Sequence, residues 1–399
     1  MSSREYVEWS HSLPEEAYID DYIIGTYYFE PLGVTARHAA EEIAIECSTG
    51  TWTKVKYETP ELREKYGAKV ISILDSQEKG AFARIAYPAK NYDPYYGSVE
   101  NIITGIAGNV FDGITLNSIR LIDIELPRSF VKEFPGPNHG PEGFRKAAGI
   151  EGSTRPMIGS IIKPNLGLDP KTLAKLCYEL ALGGLDLIKD DEDLLNPSYC
   201  KIEDRTTAVM ESLDKAREET GKTVLYAVNV TGRPDKVLDL ANLAIDAGAN
   251  CLMLDVAWTM YSSIRALAEN SPTNKVPLHI HRAGHGAYTR SDRFGISESV
   301  ISKLCRLCGA DQLHVGTVAG KFIEHIPEKK KCVDVMMSKW YDLKQTMPNA
   351  SAAMHPGNVE VNVAVIGQNS SLTAGGGIHG HPDGVTAGVK AMVQAAEAL

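Results

Sequence analysis

The chain of 399 residues is longer than one average domain and suits a barrel-sized domain with a smaller companion. With 43% hydrophobic and 23% charged residues it has the composition of an ordinary soluble globular protein with a core of good size. A formal charge of −10 argues against nucleic acid or an anionic membrane as partners, because both need clustered Lys and Arg; an anionic ligand must be held by local positive groups.

The opening MSSREYVEWSHSLPEE has no apolar run of signal-peptide length, and no stretch of about 18 or more apolar residues follows, so the expected location is the cytoplasm. From about Asp20 to Pro127 the patterns alternate. Aromatic and β-branched DYIIGTYYF is followed by helical ARHAAEEIAIE, then KVISILD and AFARIAY as strands, a helix near SVENIITGIAG, and LNSIRLIDIEL as a last strand. This βαββαβ order predicts a ferredoxin-like α+β domain over residues 1–135. The Pro- and Gly-rich FPGPNHGPEG at 134–143 reads as a linker.

Beyond it, short apolar runs alternate with amphipathic helices, which predicts an α/β catalytic domain over 136–399. The runs are MIGSIIK (157–163), LDLIK (185–189), VLYAVNV (224–230), CLMLDVA (251–257), LHIHRA (278–283), QLHVGT (312–317), NASAAM (349–354) and SLTAGG (371–376). The helical rhythm is plain in DPKTLAKLCYELALGG, with Leu173, Leu176, Cys177 and Leu180 on one stripe and Gly183 past its end. Eight strand–helix units describe a (β/α)8 TIM barrel, with an open doubly wound sheet as the alternative; the last two runs have weak β propensity. The seven cysteines are spread thinly and odd in number, which argues against a disulfide framework. Cys305 and Cys308 form a CxxC inside a helical pattern, with no second CxxC to complete a zinc site, and are expected in the core.

Barrel active sites collect at the C-terminal strand ends, which nominates Lys163, then Lys189, Asp191 and Glu192, then His281, Arg282 and His314, and Lys321 in a Gly-rich loop. In GGLDLIKDDE, Lys189 and Asp191 share one side of the strand and Asp190 the other. Two carboxylates at one strand end suit a hard cation such as Mg²⁺; the alternative is a solvated acidic loop paired with lysines. Lys163 and Lys321 are either surface cations or groups that stabilise an anion, and the HIHRAGHG histidines are either core residues or catalytic ones. The glycines of LTAGGGIHGHPDG, after strand eight and before a helix, suit a phosphate grip.

With these residues assembled, the chain resembles the large subunits of ribulose-1,5-bisphosphate carboxylase/oxygenase (RuBisCO), in particular the archaeal form III type, over nearly its whole length from STGTW to GGGIHGHPDG. The resemblance implies that CO2 converts Lys189 to a carbamate that binds Mg²⁺ together with Asp191 and Glu192. It also implies Lys163 as the proton-transfer lysine, His281 near the reacting carbons, and Lys321 on the incoming carboxylate. Arg282, His314 and Ser351 would form one phosphate site, and Thr51, Trp52, Gly375 and Gly376 the other. Glu46 and Asn109 match residues that complete the site of a neighbouring subunit, which implies a homodimer or an oligomer of dimers. The implied reaction removes the C3 proton of the sugar bisphosphate, adds CO2 or O2 at C2, and cleaves to 3-phosphoglycerate.

The chain departs from the family pattern in several places. Lys163-Pro164-Asn165 replaces KPK, Ser351-Ala352-Ala353 replaces SGG, and Phe322-Ile323-Glu324 replaces Leu-Glu-Gly; the chain ends at Leu399, within the last barrel helix. These changes touch phosphate binding and loop closure rather than the metal centre. They keep a second reading in view, a RuBisCO-like enolase or isomerase acting on another sugar phosphate, such as a methylthioribulose phosphate derivative, without fixing CO2. A third reading is a catalytically silent barrel that binds metabolites.

Overall fold

The computed structural model describes residues 21–51, 53–76, 80–321 and 325–399. These form two compact units, one from residues up to Phe134 together with His285–Ile301, the other from Pro135–Gly284 and Ser302–Leu399. In chain order the first unit supplies β1 (Tyr22–Pro31), β2 (Lys69–Asp75), β3 (Ala81–Pro88) and β4 (Leu116–Glu125). The barrel unit then supplies β5 (Met157–Ile161), β6 (Leu187–Lys189), β7 (Leu225–Asn229), β8 (Cys251–Asp255) and β9 (Leu278–His281). After the two-residue strand β10 (Gly295–Ile296) come β11 (Gln312–His314), β12 (Met347–Ser351) and β13 (Ser371–Ala374).

The first unit has the expected βαββαβ order, with β1 central and antiparallel to both β3 and β4 in a sheet ordered β10-β4-β1-β3-β2. The helix Ala36–Glu46 starts where the Thr35 hydroxyl accepts from the His38 N–H, and it buries Ala36, Ala39, Ala40, Ile43 and Ala44. A second helix, Ser98–Ala107, buries Val99, Ile102 and Ile106. Tyr27 ties this helix to the sheet: its hydroxyl donates to the Ile106 carbonyl at 2.7 Å and lies 2.8 Å from the Tyr87 hydroxyl. Both phenols are therefore satisfied in the core.

β5–β9 and β11–β13 close into an eight-stranded parallel barrel, which removes the open-sheet alternative. At the N-terminal end Phe144, on the helix Gly140–Ala147, packs with Met157, Leu187, Leu225, Ala227, Cys251, Met253 and Met347 and plugs the barrel with apolar side chains. The run read as linker thus already begins this plug at Gly140. The two weakest runs are strands, β12 starting two residues before the expected NASAAM. Thr373 donates to Asn349 Oδ1 at 2.7 Å between them, so ring closure and an interior polar bond outweigh poor propensity. Cys305 and Cys308 are fully buried on the helix Glu298–Cys308, and none of the seven cysteines forms a disulfide. Among the described residues no helix is long and apolar enough to cross a membrane.

Candidate active site

β6 is three residues long and ends at Lys189, so the chemistry of KDDE falls where the ladder gives way to a loop. Strand alternation turns Lys189 and Asp190 to opposite sides. Lys189 is fully buried, donates to the Asp190 carbonyl at 2.8 Å and lies 3.3 Å from Glu192 Oε2. Burial lowers its ammonium pKa from the ordinary value, against the pull of Glu192, Asp191 and Asp190. Burial also pushes the Glu192 carboxyl up, but the charges of Lys189 and His281 outweigh it and hold the group at about 2. The buried Asp191 accepts from Lys163 Nζ at 2.6 Å and from the Asp193 N–H at 3.2 Å.

Lys163 follows β5 and sits between Asp191 and the Asn165 side chain, whose Oδ1 accepts from it at 2.7 Å. The residue that departs from KPK thus caps the lysine with a neutral amide. On the other flank the Gly375 backbone packs close: a Cβ there would lie 3.2 Å from Lys163 Cε, so the lysine would have to give by a few tenths of an ångström.

His281 ends β9 between two carboxylates, with Nε2 3.5 Å from Glu192 and Nδ1 3.1 Å from Asp255. Asp255 also accepts from the Ala283 N–H at 2.7 Å, so it holds ring and backbone together. The His281 and His314 rings meet edge to face at 4.4 Å. His314 Nδ1 lies 2.7 Å from the Ser351 hydroxyl, and its Nε2 lies 2.8 Å from His279 Nε2. Burial, reinforced by the basic neighbours His281, His279, Lys189 and Arg282, holds His314 well below the ordinary histidine range; burial and Lys189 also take His279 to about 3. Both rings are neutral near pH 7, leaving Arg282, itself buried, as the permanent charge on this side.

The loops after β11 and β12 are stapled together. Asn358 donates to the carbonyls of Ala319 and Ala353 at 2.9 and 3.0 Å, Thr317 donates to the Ala352 carbonyl at 3.3 Å, and Asn362 accepts from the Val318 N–H at 2.8 Å. Ala352 and Ala353 adopt φ of 90° and 56°, the region where alanine stands in for a glycine pair at a cost. Lys321, beyond this staple, is exposed, and Phe322-Ile323-Glu324 lies outside the described residues.

In the first unit Asn109 Nδ2 lies 3.4 Å from Glu46 Oε1, so these two residues, 63 apart in sequence, are brought together at an exposed position. Thr51 is exposed, and Trp52 lies outside the described residues.

Lys163, Lys189, Asp191, Glu192, His281, His314, Ser351 and Gly375 thus form one connected cluster at the C-terminal strand ends. Sequence reasoning passed over Asp255 and Asn229, although both close apolar strands and meet the same positional criterion. Among the described residues no group of three or more His, Cys, Asp or Glu side chains is placed to hold a metal ion. Asp191 and Glu192 alone would leave most positions of a hard cation to water and substrate oxygens, and Lys189, if carboxylated, would add a third protein oxygen. A buried amine with a lowered pKa, flanked by both carboxylates, fits conversion to a carbamate.

The large-chain catalytic domain of ribulose bisphosphate carboxylase matches residues 146–399 and its N-terminal domain matches residues 12–130. The ribulose bisphosphate carboxylase of Methanocaldococcus jannaschii is 38% identical over 385 residues, covering 92% of this chain and 89% of that protein. A ribulose bisphosphate carboxylase-like protein of Archaeoglobus fulgidus is 37% identical over 410 residues, covering 99% and 91%. Among solved structures, the octameric RuBisCO of Pyrococcus horikoshii OT3, in complex with sulfate, superimposes with a TM-score of 0.89 at 35% identity, covering 95% of this chain and 88% of that one. The two-unit fold, the strand-end cluster and these matches together make the chain a member of the ribulose bisphosphate carboxylase large-chain family.

Proposed function

We propose that the protein is a Mg²⁺-dependent ribulose-1,5-bisphosphate carboxylase/oxygenase. The observation that carries this reading is the buried Lys189 set between Glu192 and the Asp191–Lys163 pair at the end of β6. Lys189 as a carbamate, Asp191 and Glu192 would hold Mg²⁺, which when bound polarises a ketone oxygen and stabilises developing oxyanions.

The chain's own residues account for binding and proton movement. Arg282 with the neutral His314–Ser351 pair grips one phosphate, and the backbone of Gly375 and Gly376 the other. Lys163, kept in place by Asp191, Asn165 and the Gly375 backbone, moves the proton during removal of hydrogen from C3. His281, oriented by Asp255, faces the reacting carbons. Bond formation between C2 and CO2 leaves a carboxylate that Lys321 holds; water then adds at C3, the C2–C3 bond breaks as the hydrate loses a proton, the C2 carbanion takes up a proton from Lys163, and two molecules of 3-phosphoglycerate leave. Glu46 and Asn109 complete the site of a second copy, so a homodimer is the smallest competent unit and larger assemblies are built from dimers.

Incubation with ribulose bisphosphate, Mg²⁺ and labelled CO2 tests the reading, with acid-stable label in phosphoglycerate expected. Two observations favour a second reading, a sugar-phosphate enolase or isomerase that fixes no CO2: the alanine pair at positive φ in the Ser351 loop, and the neutral Asn165. Solvent exchange at C3 without incorporated label would select it.

A further inference from the structure

KDDE lies just past a three-residue strand, so its side chains need anchoring from elsewhere. The central residue is Asp190, fully buried and turned away from Lys189. Its Oδ2 accepts from Arg205 Nε and Nη2 at 3.1 and 2.9 Å and from the Asn229 N–H at 2.9 Å; its Oδ1 accepts from the Tyr226 hydroxyl at 2.5 Å. The Asn229 side chain then reaches back across the rim, donating to the carbonyls of Asp191 at 3.2 Å and Glu192 at 3.1 Å. Its Oδ1 accepts from the Thr231 N–H at 3.0 Å, and the Thr231 hydroxyl accepts from the Asp255 N–H at 2.9 Å.

We infer that Asn229, locked by Asp190, Arg205 and Tyr226, is a positioning residue that sets the spacing of the Asp191 and Glu192 carboxylates and ties it, through Thr231 and Asp255, to His281. An Asp190–Arg205 strut pinning the helix Ile202–Thr220 to the barrel would need only the ion pair. It would not need an amide whose two protons go to consecutive carbonyls of the two carboxylate residues. A side chain that aims oxygen ligands acts on cation affinity, because a misplaced ligand must be moved before it can bind.

The inference rests on reading Lys189, Asp191 and Glu192 as metal ligands, and the test separates the two. Mg²⁺ is titrated calorimetrically into the full-length protein in bicarbonate, and the Lys189 carbamate is followed with ¹³C-labelled CO2, for wild type, Asn229→Ala, Tyr226→Phe and Lys189→Ala. Asn229→Ala is expected to weaken Mg²⁺ by about 10- to 100-fold, with Tyr226→Phe shifted less in the same direction. Raising Mg²⁺ recovers most of the lost kcat, while KM for ribulose bisphosphate changes little. Wild-type Mg²⁺ affinity in Asn229→Ala, with binding lost in Lys189→Ala, overturns the positioning role alone. Wild-type affinity in Lys189→Ala overturns the metal-centre reading instead. Should Asn229→Ala fail to fold by circular dichroism, Tyr226→Phe, which deletes one hydroxyl, decides the matter by the same titration.

Discussion

Lys189 carries the strongest single expectation. The carbamate forms only from a neutral amine, and burial lowers this ammonium's pKa, so the reactive form is populated at a lower pH than for an exposed lysine. Activation by CO2 should rise with pH, with a midpoint below the ordinary lysine value of about 10.4. Labelled carbamate measured across a pH series checks this; a pH-independent signal, or a midpoint at the ordinary value, contradicts it. Lys189→Ala should abolish both activation and turnover. The alanine pair gives an opposite kind of prediction. Left-handed φ costs alanine about 1–2 kcal/mol, and replacement by glycine returns about 0.4–1 kcal/mol through the freer unfolded chain. Ala352→Gly, at φ 90°, is therefore expected to stabilise the fold by about 0.5–1 kcal/mol in urea unfolding, whereas a loss of stability would show that its Cβ packing outweighs the strain.

Among elements, the staple between the β11 and β12 loops separates binding from folding. Asn358→Ala leaves the carbonyls of Ala319 and Ala353 without this donor, at about 0.5–1.5 kcal/mol for each of these part-buried bonds. The base of the Lys321 loop should loosen, seen as faster tryptic cleavage at Lys321 and a higher KM; unchanged cleavage would place the loop's anchoring in Thr317 and Asn362. The elements themselves were readable where a period was long enough to count. All eight barrel strands and the βαββαβ order follow from alternation of apolar runs with helical stripes, and of the Leu173, Leu176, Cys177 and Leu180 stripe all but the half-buried Leu176 are buried. β10 was invisible because two residues carry no period, and its pairing with Arg120 and Leu121 of β4 depends on a segment far away in sequence. Asp255 and Asn229 escaped notice for a different reason. Each resembles an ordinary polar strand end, and only their bonds to His281 and to the KDDE carbonyls distinguish them.

At the scale of the whole molecule, the two compact units carry different parts of the proposed chemistry: the barrel holds the lysines, carboxylates and histidines, and the smaller unit holds Glu46 with Asn109. If the smaller unit completes the site of a second copy, two inactive variants must rescue each other. A subunit carrying Lys189→Ala retains an intact Glu46, and one carrying Glu46→Gln retains an intact barrel. In a mixed dimer one site takes both lesions and the other takes neither. Random reassociation makes half the dimers mixed, each with one working site of two, so about a quarter of wild-type turnover should return. Denaturing the two proteins together and refolding them, with each refolded alone as a control, measures this directly. Activity near zero in the mixture, with dimers re-formed, would mean that Glu46 serves the barrel of its own chain, and the requirement for a second copy would fall with it.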